Sequence, residues 1–66
     1  MDYVIHVLKV KRNDLQGNIL TFQQLEASYR KKGDNILAKA YQDKIAEAND
    51  NIAAIEVAID TLIEME

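Results

Sequence analysis

The sequence predicts an all-α protein, an antiparallel two-helix hairpin of coiled-coil type that assembles into a four-helix bundle or a higher oligomer. Three observations predict it. Apolar residues recur at Ala38, Tyr41, Ile45, Ala48, Ile52, Ile55, Ile59 and Leu62, in alternating steps of three and four that keep one stripe of a helix against a partner. A stop signal and a start signal for helices stand side by side between Arg30 and Asp34. Reflecting the chain about the Gly33–Asp34 bond then sets the apolar residues of one half opposite those of the other.

The first half is read as a helix over about 3–32. Asp2 is placed to cap it, and Ile5, Leu8, Leu15, Ile19, Phe22 and Tyr29 carry a helical stripe through it, with Leu25 on its flank. Val4, Ile5, Val7 and Val10 are β-branched, so a short strand over Tyr3 to Lys11 is the competing reading. The longer helical pattern outweighs it. Gly17 costs a helix about 1 kcal/mol, so any break falls at Asn13 to Asn18, where Thr21 and Gln24 have the spacing of a capping box for a shorter helix.

The turn is placed at 33–34. Arg30, Lys31 and Lys32 put positive charge where the carbonyl end of a helix favours it. Gly33 suits the left-handed position that follows, and Asp34 can cap the next helix. So short a link makes the two helices antiparallel neighbours. The second helix is read over about 35–65, which makes residues 1–66 one hairpin domain. Reflection pairs Tyr29 with Ala38, Phe22 with Ile45, Ile19 with Ala48, Leu15 with Ile52, Leu8 with Ile59 and Ile5 with Leu62. Bulky side chains thus meet small ones at two layers, as close packing prefers. Two layers break the pattern: Glu26 meets Tyr41, where Leu25 substitutes, and Arg12 meets Ile55.

Length says that this hairpin needs a partner. A chain of 66 residues folding alone buries only about 60% of its unfolded surface, and small chains compensate with disulfides, metals or oligomerisation. There is no Cys, and His6 is the one histidine, which leaves oligomerisation, with a dimer as the simplest case and no cofactor or metal expected. Absence of Cys suits a reducing, cytoplasmic setting. No apolar run approaches the roughly 20 residues of a membrane span, so no membrane partner is expected. Met1 to Val10 is apolar, but Asp2 stands where a signal peptide is basic and no small-residue cleavage site follows, so this stretch is read as part of the fold.

Charge is divided between the halves. Six basic and three acidic residues in 1–33 give +3, and two basic and eight acidic residues in 34–66 give −6. Halves of opposite sign attract, although each exposed pair contributes only about 0–1 kcal/mol.

Off the stripe, the last third still carries Ala53, Ala54, Val57, Ala58, Ile63 and Met65, and the hairpin sets that end beside Val4, Val7 and Val10. A helix apolar most of the way round is normally buried. Val4, Val7, Val10, Val57, Ala58, Ile63 and Met65 are therefore the candidate self-association or partner surface, while the turn end reads as polar and basic.

No motif carries chemistry. Tyr3, His6 and Lys9 share helical spacing but lack a nucleophile. Asp43, Glu47, Asp50 and Glu64 lack the Glu-x-x-His pair of a bundle metal site, and there is no phosphate loop, zinc spacing or Ser-His-Asp set. The chain is read as no enzyme. The expected function is that of an interaction protein: an adaptor, inhibitor or assembly module for another macromolecule, with a protein partner.

Arg12 on the stripe has two readings. It sets register by pairing with an acid such as Glu56 or one on a second hairpin, or it joins Lys9 and Lys11 in holding an anion. In length and overall layout the chain resembles the plasmid Rop regulator, a likeness of architecture with no shared motif. That resemblance implies a dimeric bundle binding structured RNA, with Lys9, Lys11, Arg12 and Gln16 as the candidate contacts. A third reading is an oligomer that sequesters an anionic small molecule in clefts between subunits, using Arg12 and the neighbouring lysines.

Overall fold

A computed structural model describes residues 2–65. Helix α1 spans Asp2–Lys31 and α2 spans Asn35–Glu64, each of 30 residues. The helices pack against each other along their length, so the all-α hairpin is the architecture observed. The Cα trace measures 51 × 14 × 9 Å, with a radius of gyration of 15.2 Å. A globular chain of this length would have a radius near 11 Å. The hairpin is a thin rod with one internal contact layer.

The turn closes through a complete set of end-of-helix hydrogen bonds. The Asp34 N–H donates to the Tyr29 carbonyl at 2.9 Å and the Gly33 N–H to the Arg30 carbonyl at 3.1 Å, the paired bonds of a Schellman stop. Gly33 takes φ +83, the left-handed conformation that glycine adopts without a steric penalty. Asp34 then starts α2, its carboxylate accepting from the Leu37 N–H at 3.1 Å. Stop and start share adjacent residues, which forces the antiparallel return. The Lys32 ammonium sits 5.7 Å from the centre of the Tyr29 ring, and Arg30 pairs with Glu26 at 2.8 Å. Basic residues at this tip are thus held by a ring and a carboxylate as well as by the helix dipole.

Helix α1 is continuous through both doubtful stretches. The β-branched residues at its start stay helical because Ile5 and Leu8 belong to the buried stripe, and burial against α2 outweighs a propensity cost of a few tenths of a kcal/mol per residue. Gly17 interrupts nothing. Thr21, expected as a possible cap, instead turns its hydroxyl back to the Gly17 carbonyl at 3.4 Å, as hydroxyl residues do inside helices. A Cβ at Gly17 would meet nothing within 4 Å. Gly17→Ala should therefore raise unfolding stability by about 1 kcal/mol, read as a higher urea midpoint; an unchanged or lower midpoint would show that the glycine has another role.

Burial follows the stripe residue by residue. Ile5, Ala38, Ala48 and Ile59 are buried. Leu8, Arg12, Leu15, Ile19, Phe22, Tyr29, Tyr41, Ile45, Ile52, Ile55 and Leu62 are half-buried. Leu25 and Glu26 are both half-buried, so at the Tyr41 layer two α1 residues share one place. Tyr41 lies between Phe22 and Tyr29, with ring centres at 5.9 and 5.7 Å. That position fixes the register at the one the reflection about Gly33–Asp34 predicts. The Tyr29 and Tyr41 rings are stacked, 5° from parallel, which makes this aromatic trio the most specific packing in the molecule.

Candidate interaction surface

A two-helix layer has two broad faces, one on each side of the seam, and the register assigns residues to them. Leu8, Leu15, Phe22 and Tyr29 of α1 and Tyr41, Ala48, Ile55 and Leu62 of α2 border the first face. Ile5, Arg12, Ile19, Ala38, Ile45, Ile52 and Ile59 border the second. In an antiparallel pair the flanking positions of the two helices match by side, so Val4, Val7, Leu25, Leu37, Ala58 and Met65 all belong to the first face. A shallow groove of about 190 Å³ lies on that face, lined by Leu15, Phe22, Lys44, Glu47, Ala48 and Asn51. The small Ala48 side chain leaves the space.

The second face is more polar. Leu20 and Ile63 are its large apolar side chains, set among Lys9, Gln16, Gln23, Asn49 and Glu56. Val10 and Val57 lie on the backs of their helices, as do Tyr3 and Ile36. The seven candidate surface residues therefore divide: Val4, Val7, Ala58 and Met65 converge on the first face, Ile63 falls on the second, and Val10 and Val57 face away from both. Of the seven, Ala58 is half-buried against the seam and the other six are exposed.

The apolar exposure also extends beyond the open end. Leu37 is exposed and Ile36 is 85% exposed beside the turn, so the tip is not only polar and basic as its sequence suggests. Both stand off the stripe in the α2 first turn, and that offset was the available signal.

The basic candidates divide as well. Lys9 and Gln16 flank the second face, Lys11 flanks the first, and Arg12 is half-buried on the seam between them. The expected pair with Glu56 does not form: among the described residues the ion pairs are Arg30–Glu26 at 2.8 Å and Lys39–Asp43 at 3.8 Å. Half-burial at the seam is compatible with a long cationic side chain, whose stem can cover apolar surface while its charge stays in water. Both ion pairs are spaced four residues apart on one helix, Lys39–Asp43 with both side chains exposed and Arg30–Glu26 with only its carboxylate half-buried, so each contributes about 0.5 kcal/mol.

Among the described residues no three His, Asp or Glu side chains come together as a metal site, and neither helix is long and apolar enough to cross a membrane. No family model matches the chain, nor does any curated protein or solved structure.

Proposed function

We propose that this chain is a non-enzymatic helical interaction protein that self-associates in the cytoplasm and serves as an adaptor, inhibitor or assembly module for another macromolecule. The observation that carries the proposal is unspent apolar surface. The hairpin exposes 4900 Å², roughly 700 Å² more than a compact monomer of this mass would expose. A standard stable interface takes about 800 Å² from each partner. The surplus is thus comparable in size to one interface, and Val4, Val7 and Met65 are large apolar side chains exposed together at the open end of the first face. Isolated apolar residues on a surface need no explanation, whereas contiguous ones mark association sites.

Sedimentation equilibrium over a range of concentrations tests this reading. The expected result is a mass of at least twice 7.5 kDa together with a helical far-ultraviolet spectrum. A fully helical 7.5 kDa species at every concentration would overturn it.

A further inference from the structure

The inference rests on the self-association just proposed and specifies its geometry. We infer that two copies pair through the first face about a two-fold axis parallel to the rod, with both turns at the same end and each α1 lying against α2 of the partner subunit.

The choice of face follows from composition and shape. The first face carries Val4, Val7, Leu25, Leu37 and Met65 as large apolar side chains, whereas the second carries Leu20 and Ile63. The groove over Ala48 is also on the first face, a concavity that a side chain of a second hairpin can fill at the 8–10 Å spacing of packed helices. Along the rod this face is banded. Val4, Val7, Ala58 and Met65 form an apolar band at the open end, Lys11, Asp14, Lys44 and Glu47 make the middle polar, and Leu25 and Leu37 form a second apolar band near the turn.

Two symmetric arrangements lay this face on itself, and both match apolar bands to apolar bands. Charge separates them. With the two-fold along the rod, each α1 is covered by the partner's α2, so the half of charge +3 faces the half of charge −6. With the two-fold across the rod, α1 lies on α1 and α2 on α2. Two halves of charge −6 would then run side by side within about 10 Å, close to the screening length at physiological salt. Like charges at that spacing repel along the whole helix, and opposite ones attract. Adjacent helices are antiparallel in both arrangements, with opposite dipole ends together, so charge alone chooses between them.

The chain has no cysteine, so a single spin label can be placed at will. Asn35→Cys labelled with a nitroxide puts one probe per chain at the turn, and Lys31→Cys provides a second, independent tip position. Pulsed dipolar spectroscopy on protein shown to be helical should give an interchain distance below about 30 Å, because both tips share one end. A distance above about 45 Å, the length of 30 residues at 1.5 Å each, would overturn the arrangement and leave self-association intact. Absence of an interchain dipolar signal at both positions would overturn the arrangement and the self-association together.

Discussion

Ile59→Ala should lower unfolding stability by about 2–4 kcal/mol, the range for truncating a buried isoleucine. Ile59 is 4% exposed and the register sets it opposite Leu8, in a layer with only one other helix to supply contacts. A thin layer cannot redistribute the loss, because no third element can close over the hole. Total stability for a chain of this length is about 3–10 kcal/mol, so the variant forfeits a large share of it. Urea titration followed at 222 nm checks the result as a midpoint shift, or as loss of the cooperative transition. Val57→Ala is the matched control two residues away. It removes apolar atoms from a side chain 66% exposed on the back of the same helix and should shift stability by no more than about 0.5 kcal/mol. Equal losses at the two positions would mean that the back of α2 is covered in solution.

Gly33→Val should cost about 1–2 kcal/mol, the penalty for holding a side-chain-bearing residue in the left-handed region. At φ +83 the strain is entirely in the backbone, since a Cβ there would meet nothing within 4 Å. Gly33→Asn separates this cause from others. Asparagine enters the left-handed region several-fold more readily than most side-chain-bearing residues, so it should recover much of the loss. Thermal melts of the two variants give the comparison. Equal destabilisation by Val and Asn would refute the backbone explanation.

The hairpin was legible because its two strongest signals are local. The stripe from Ala38 to Leu62 repeats at a spacing that only a helix can present to one neighbour, and the Arg30 to Asp34 stretch contains its own stop and start. Reflection about the turn then needs no further information, and Tyr41 between Phe22 and Tyr29 shows the same register in space. The stretch from Val4 to Val10 was ambiguous because side-chain propensity and the stripe point different ways there; packing against α2 decides it.

The division of the candidate surface was much less legible. Val4 and Val10 are close in sequence and both lie off the stripe, yet one borders a broad face and the other lies on the back of α1. Distance along the rod can be counted from residue numbers. Direction around it becomes meaningful only when a second helix defines two sides. The same reason hid Leu25 and Leu37 as members of one face. The fate of Arg12 was hidden by a different cause, because pairing across the seam depends on side-chain reach at the edge of the layer, which spacing alone does not encode.

The adjacent stop and start at Gly33 and Asp34 also order the hairpin in time. Contacts beside the turn, such as the stacked Tyr29 and Tyr41 rings, close a short loop, whereas those joining Ile5 to the far end of α2 close nearly the whole chain. Each doubling of loop length adds about 0.6 kcal/mol of closure entropy, so the rod zips from its tip and frays from its ends. Val4 and Met65 lie in the segment that closes last and opens first. In the proposed dimer, contacts between the two copies add to the final described turns of both helices, so fraying at Val4 and Met65 should fall as protein concentration rises.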